Sequence, residues 1–279
     1  MGYCLIFPGQ GTQFPGMSRG LEITGAIPGT LRRLMEEGPA EELDLTLNAQ
    51  PAVLSVSAAL WKRSGLTDPL CVMGHSLGEY TALVAAGSLD LDEAVALVTK
   101  RAVLMEASSP RKGSMAAVVG LSAGEVAKVC ALFEDLWVAN LNGASQVVIS
   151  GRAESVDAAV PALKERGARK VVPLKVSVAS HCPYMEQASA KLAEHLGSVG
   201  LGRPSCPVIS NVTAGPETDP GRIKDLLGRQ LVSPVRFEES VKAACGLGVD
   251  LFVEIGPRPV LGALVRRIAP GVEVREITA

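Results

Sequence analysis

Leu70-Cys71-Val72-Met73-Gly74-His75-Ser76-Leu77-Gly78-Glu79-Tyr80-Thr81-Ala82-Leu83-Val84-Ala85-Ala86 decides the fold. Its first four residues are a short apolar run of the kind that forms a buried strand, and Leu77–Ala86 has a helical pattern. Between them Gly74-His75-Ser76-Leu77-Gly78 fits G-x-S-x-G, a tight strand-to-helix turn that leaves a serine hydroxyl exposed at the head of a helix. The strand before and the helix after make this more than a pattern match. The helix N-terminus and the Leu77 amide would face an oxyanion formed at Ser76.

Outward from this turn the same alternation continues. Tyr3–Phe7, Pro207–Ile209 and Leu251–Ile255 are further short apolar runs with glycine or proline near their ends. Pro51–Lys62 and Leu91–Met105 have helical periodicity, the latter opened by Asp90 with Glu93 three residues on, much as in a capping box. Strands alternating with helices predict a parallel sheet covered on both faces. From Ser114 to Val178 the order changes: Met115–Val119 reads as strand, Ala123–Phe133 as helix, Leu136–Asn140 and Gln146–Ser150 as strands, Ser155–Arg166 as a helix containing Pro161, and Lys170–Val176 as strand. This βαββαβ order predicts a small ferredoxin-like subdomain, residues 114–178, inserted into a large α/β-hydrolase-like domain with a parallel sheet, residues 1–113 and 179–279.

The chain has 279 residues, 47% of them hydrophobic and 20% charged, with a formal net charge of -2. That composition supports a globular core and argues against long disorder. Near-neutral charge with only 4% aromatic residues argues against nucleic acid as a partner. No basic segment precedes the first apolar run, and no stretch approaches a spanning helix, so neither a signal peptide nor a membrane contact is expected and the expected location is cytoplasmic. The six cysteines are scattered without metal-ligand spacing, so they are expected to be reduced and mostly buried, with no metal site.

Three histidines leave a short list of bases for the serine. His75 adjoins Ser76 on a sharp turn and is expected to pack behind it. His195 lies in the amphipathic run Ala188–Leu196 and is expected at the surface. His181 follows the strand-like run Val171–Val178, where the strand ends of α/β folds meet ligands, and is the expected base. An ordinary α/β-hydrolase would place its histidine near the C-terminus after an acid, yet none follows His195. Either a backbone carbonyl orients the base, or the architecture is a different one built on a nucleophilic serine. Arg101 falls on the stripe of Leu97, Val98, Leu104 and Met105, facing inward, where a guanidinium needs an anion. A substrate carboxylate would supply it; a snorkelling arginine or an internal salt bridge is the alternative.

Taken together, these residues resemble the malonyl-CoA:acyl carrier protein transacylases and the related polyketide synthase acyltransferase domains. The resemblance runs over nearly the whole chain: Phe7-Pro8-Gly9-Gln10-Gly11, Gly38-Pro39-Ala40-Glu41-Glu42-Leu43, Gln50-Pro51-Ala52, Gly74–Tyr80, Arg101, Ser180-His181-Cys182, Gln230-Leu231, Pro234-Val235 and Glu254-Ile255-Gly256-Pro257. It implies that Ser76 is the acylated nucleophile, His181 its base, and Arg101 the holder of a malonyl carboxylate. It further implies that the amides of Gln10 and Leu77 form the oxyanion hole and that a main-chain carbonyl near Gln230 orients the histidine. The run containing Asn140 and Asn142 matches the cleft-facing stretch of the small subdomain, with His75 behind it. Malonyl-CoA and a holo acyl carrier protein are the implied partners of an expected monomer, with no cofactor. The chain departs from the family in a short, glycine-rich segment between Met17 and Gly38. Val178-Ala179-Ser180-His181 shares its last three residues with a methylmalonyl-selecting form but lacks its tyrosine, and malonyl is the expected group. Lys164, Arg166, Arg169 and Lys170 form a candidate docking cluster for an acidic carrier protein. A serine hydrolase on the same elbow, a free-standing polyketide acyltransferase, a malonate-decarboxylase subunit and a catalytically idle binding module are the competing readings.

Overall fold

The computed structural model describes residues 2–109, 113–176 and 178–279. Ten strands are defined among them: β1 (Gly2–Phe7), β2 (Cys71–Gly74), β3 (Gly113–Val119), β4 (Leu136–Leu141), β5 (Gln146–Arg152), β6 (Lys170–Pro173), β7 (Val208–Ile209), β8 (Pro216–Glu217), β9 (Val249–Ile255) and β10 (Glu273–Ile277). The helices are α1 (Gly29–Glu37), α2 (Ala40–Leu43), α3 (Thr46–Ser64), α4 (Gly78–Ala85), α5 (Leu91–Ser108), α6 (Ala123–Cys130), α7 (Ala153–Glu165), α8 (Glu186–Ser198), α9 (Pro220–Gln230), α10 (Phe237–Gly246) and α11 (Gly262–Ile268).

A six-stranded sheet runs in the order β10-β9-β1-β2-β7-β8, all pairs parallel except β7 with β8. Alternate residues of its central strands enter different layers, as the two-residue period of a strand requires. Leu5, Phe7, Val72 and Val253 pack in the core shared with α3, α4, α5 and α8, whereas Cys4, Ile6, Cys71, Met73 and Phe252 pack with Phe237, Val241, Leu264 and Val265 of α10 and α11. Near-continuous apolar runs in β1, β2 and β9 follow from this double coverage.

The second sheet is antiparallel, in the order β4-β5-β3-β6, with α6 and α7 on one face. Its other face presents Met115, Ala117 and Val148 to the cleft described below. The expected βαββαβ succession is present, and α6 opens with a capping box between Ser122 and Glu125. Pro161 sits inside α7 without ending it. Pro161 and Asp157, one turn earlier, are both exposed, so the carbonyl that loses its amide partner faces water.

Some boundaries differ from expectation. The strand expected over Lys170–Val176 stops at Pro173; the Leu174 N–H still donates to the Met115 carbonyl at 2.9 Å, the Val176 N–H then turns back on the Leu174 carbonyl at 3.0 Å, and Leu174 and Val176 line the cleft. Ser177, within the run expected to reach Val178, lies outside the described residues. The helix expected over Ala123–Phe133 ends at Cys130 in a turn, and the one over Pro51–Lys62 begins earlier, at Thr46. The edge strands β8 and β10 were not expected; in β10 only Val274 and Ile277 are partly covered, which leaves no apolar run to notice.

Two of the contacts between the small sheet and the rest of the chain involve Asn140. Val235 lies in a parallel bridge with Asn140, its N–H donating to the Ala139 carbonyl at 2.9 Å and its carbonyl accepting from the Leu141 N–H at 2.8 Å. His75 supplies the other, reaching Asn142 Oδ1 at 2.9 Å and Asn140 Nδ2 at 3.1 Å through Nε2.

Candidate active site

β1 and β2 are parallel neighbours in register, Phe7 opposite Gly74, so the loops leaving their carboxyl ends run side by side. One carries Gly9 and Gln10, the other His75 and Ser76, and the two are tied where the His75 N–H donates to the Phe7 carbonyl at 3.0 Å. The turn after β2 is tight. Ser76 has a φ of 53°, a left-handed conformation that a non-glycine residue adopts at a cost of about 1–3 kcal/mol. A side chain at Gly78 would overlap the Phe7 carbonyl, so only glycine lets α4 start against β1. With that geometry the serine hydroxyl stands in a cleft of ≈ 330 Å³ between the two sheets, lined also by Gln10, Leu77, Asn140 and Asn142.

His181 meets Ser76 there. Its Nε2 is 2.8 Å from the serine Oγ, and its Nδ1 lies 2.9 Å from the Gln230 carbonyl and 3.2 Å from that of Ser233. Carbonyls only accept, so Nδ1 carries the proton and Nε2 presents its lone pair to the hydroxyl. Burial and the neighbouring Arg101 guanidinium push this imidazole down to about 3, so at neutral pH it is uncharged and ready to take a proton. His181 is only 3% exposed.

Arg101 projects from α5 into the same point and is 1% exposed. Its Nη1 donates to Gln50 Oε1 at 2.6 Å; its Nη2 donates to Ser76 Oγ at 3.0 Å and to Gln230 Oε1 at 3.1 Å. The ring of Tyr80 lies 5.5 Å from the guanidinium carbon. All its acceptors are neutral oxygens, so the cation is hydrogen-bonded but keeps its charge and can take a carboxylate. Its Nε has no partner among the described residues.

Around this centre lies a layer of polar groups that the sequence reading did not assign. Asn211, just after β7, accepts from the Ser76 N–H at 2.6 Å and donates to the Gly74 carbonyl at 2.7 Å, clamping the elbow from below. Glu79, on the first turn of α4, accepts from Gln230 Nε2 at 2.7 Å and from the Asn211 N–H at 3.2 Å. Glu79 was legible as a carboxylate on a helix whose described neighbours are apolar or small, a position that demands partners. Asn211 gave no such signal. Glu254 was part of a motif without a role. Its carboxylate accepts from the amides of Val260, Leu261 and Gly262 and so fixes the loop and helix α11 whose residues border the cleft.

Every site residue expected from sequence is at this cleft: Ser76, His181 and Arg101 in mutual contact, Gln10, Leu77, His75, Asn140 and Asn142 on its walls, and Gln230 behind His181. Among the described residues no backbone carbonyl accepts from the amides of Gln10 or Leu77. His75 is packed 5.6 Å from the Phe237 ring, and burial lowers its basicity. His195 is half-buried on α8 and borders a separate surface groove with Lys100 and Glu194. No cluster of three or more potential ligands that could hold a metal occurs among the described residues, and none of their helices is long and apolar enough to cross a membrane.

Comparison with known proteins agrees in extent and kind. Residues 28–276 match the acyl transferase domain family. The malonyl CoA-acyl carrier protein transacylase of Escherichia coli K12 is 40% identical over 285 aligned positions, which cover 95% of this chain and 92% of that protein. Among solved structures, an acyl carrier protein S-malonyltransferase from Vibrio cholerae superposes with a TM-score of 0.91 at 39% identity, covering 100% of this chain and 97% of the other. A malonyl-transacylase solved in complex with its type II polyketide synthase acyl-carrier protein gives 0.93 at 36% identity, over 100% and 97%. Similarity of this extent, together with a serine elbow whose base leans on main-chain carbonyls, settles the family: the chain belongs to the acyl transferases, among the malonyl-CoA:acyl carrier protein transacylases.

Proposed function

We propose that this chain transfers a malonyl group from malonyl-CoA to the phosphopantetheine thiol of an acyl carrier protein, supplying extender units for fatty-acid or polyketide synthesis. One observation carries the reading: His181 Nε2 and Arg101 Nη2 converge on the same Ser76 hydroxyl, a base and a carboxylate-binding cation within 3.0 Å of one nucleophile.

In this scheme His181 takes the Ser76 proton as Oγ bonds to the thioester carbonyl carbon. The carbonyl electron pair moves onto oxygen, which the amides of Gln10 and Leu77 hold, a contribution of about 100-fold to 1,000-fold per donor in other enzymes. When the pair returns, the C–S bond breaks and the imidazolium gives its proton to the CoA sulfur. The carrier thiol then repeats the sequence in reverse, with His181 taking the thiol proton and returning one to Ser76 Oγ. Gln230 orients the base, and His75, Asn140 and Asn142 hold the cleft wall against the elbow. Arg101 selects a free carboxylate on the acyl group. The reaction so written needs no metal or organic cofactor.

Residues 1–113 and 179–279 form, on this reading, a large catalytic domain of α/β-hydrolase type and residues 114–178 a small ferredoxin-like subdomain, supported by the strand order of the second sheet. Six free cysteines, four of them buried, support a reducing, cytoplasmic setting. Intact-mass measurement tests the function. The wild type mixed with malonyl-CoA should gain one malonyl group, lose it to added holo carrier protein, and gain none as Ser76→Ala. Rapid release of free malonate without transfer would make the protein a hydrolase.

A further inference from the structure

The base of this site has no acid beside it, and the carbonyl that replaces one belongs to a residue whose own side chain is engaged elsewhere. Gln230 is completely buried at the end of α9. Its main-chain oxygen accepts from His181 Nδ1 at 2.9 Å. Its side-chain Nε2 donates to Glu79 Oε2 at 2.7 Å and to the Ser76 carbonyl at 3.1 Å, while its Oε1 accepts from Arg101. A single residue therefore touches the base, the elbow, the cation and a carboxylate.

We propose that Glu79 is a positioning residue for the acyl transfer, whose ionised carboxylate, acting through Gln230, fixes the base and offsets the charge that His181 acquires in the transition state. The inference rests on the transferase reading above. The need for it follows from the charges present. When His181 takes the Ser76 proton, the imidazolium forms next to the Arg101 guanidinium, a like charge, with both groups almost fully buried. Two carbonyls on Nδ1 supply dipoles but no net charge. Glu79 is the one carboxylate among the described residues that enters this hydrogen-bond network, and it is 2% exposed, so its field is little screened. Its place on the first turn of α4 puts it at the positive end of that helix, which favours the ionised form.

The groups facing Glu79 are Arg101 from α5, Tyr80 on its own helix, and the neutral donors Gln230 from α9 and Asn211 after β7. Burial pushes its carboxyl up to about 7, against the pull of Gln230, Asn211 and Arg101. His181 itself stays neutral well below that, so the expected ascending limb near neutrality is that of Glu79: the ionised form is active, and activity rises with pH as the proton leaves.

The test is the rate of Ser76 malonylation, followed by quench-flow and intact mass from about pH 5.5 to about pH 9. Wild type should rise through about pH 7 to a plateau. Glu79→Gln, which keeps the hydrogen-bonding shape and removes the charge, should give a flat profile. At high pH its rate should lie about tenfold below wild type, equivalent to about one pKa unit in the basicity of His181. Its KM for malonyl-CoA should not rise, because a negative charge near Arg101 does not help a carboxylate bind. Glu79→Asp should recover part of the rate and the ascending limb. A Glu79→Gln enzyme within about twofold of wild type at high pH, or one losing rate only through a raised KM, overturns the proposal. Should that variant not fold, Glu79→Asp decides, since wild-type rates across the range from a carboxylate drawn back by one methylene from Gln230 are equally fatal. Absence of any malonyl adduct on the wild-type enzyme would instead end the transferase reading, so the two failures are distinct.

Discussion

A guanidinium buried to 1% exposure must find its acceptors inside the protein, and Arg101 finds Gln50, Gln230 and Ser76. None is charged, which distinguishes it from a structural arginine held in a salt bridge. A bound malonyl carboxylate would complete the pair, whereas an acetyl group would leave the cation without its counter-charge. Arg101→Ala should therefore lower malonyl transfer by about 100-fold, the loss expected for one charged hydrogen-bonded pair, and acetyl transfer by far less. Arg101→Lys should not restore it, since a lysine cannot make the planar two-pronged contact. Steady-state rates with the two acyl-CoAs decide the matter, and equal losses would remove the carboxylate role. This residue was legible because it broke the apolar stripe of α5. Gln50, Glu79 and Asn211 were not assigned roles from sequence, for a physical reason: their hydrogen bonds to Arg101, Gln230, Ser76 and Gly74 join residues 51 to 151 positions apart, a proximity that only the fold creates, and the neutral amides of Gln50 and Asn211 give no electrostatic signature.

At the scale of elements, the strand-turn-helix from Cys71 to Ala85 is held by contacts that leave no room for substitution. A methyl group on Gly78 would overlap the Phe7 carbonyl, and one on Gly74 would overlap the Gly78 backbone, so backbone rather than flexible side chain would have to move. Overpacking of this kind costs about 1–3 kcal/mol when a core can yield, and more when the obstacle is main chain. Gly78→Ala should lower the denaturation midpoint and, by tilting α4 away from β1, cut acylation more steeply than it cuts stability. Denaturant melts paired with the malonylation rate would show this, and a variant with wild-type rate would mean that the elbow tolerates displacement. The glycine bracket made this element readable from sequence alone. Its neighbours were readable in type but not in extent: α3 runs through Pro51, which sits in its second turn, and β6 gives way to a tight turn in which the Val176 N–H donates back to the Leu174 carbonyl, a feature the apolar run does not mark. Short edge strands such as β8, with two residues, are set by pairing with β7 and carry no periodicity of their own.

For the whole molecule, the site is a product of how the two sheets are joined. Ser76 and His181 come from loops, and Arg101 from helix α5, packed around the large sheet, while the small sheet supplies an apolar wall from Met115, Ala117 and Val148, and the Val235 bridge ties that wall to the segment whose carbonyls accept from His181. A carrier protein must deliver its pantetheine arm between these sheets, so its docking face should touch the small one. In the antiparallel register Lys170 lies opposite Val119, and Val119 opposite Gln146, a residue of the cleft wall. Lys170 opens the edge strand β6 with Arg169 just before it, and Lys164 and Arg166 lie at the C-terminal end of α7, all four exposed. Exposed charges act over about a Debye length, roughly 8–10 Å at ordinary salt, and mainly on encounter. Reversing Arg166, Arg169 and Lys170 to glutamate should thus raise the KM for an acidic carrier protein several-fold at low salt, with the difference shrinking as salt is added, and should leave the malonylation of Ser76 by malonyl-CoA unchanged. Transfer kinetics at two ionic strengths separate the half-reactions. A loss that persists at high salt would point to damage to the small sheet, and no loss at either would move the docking face to the opposite side of the cleft.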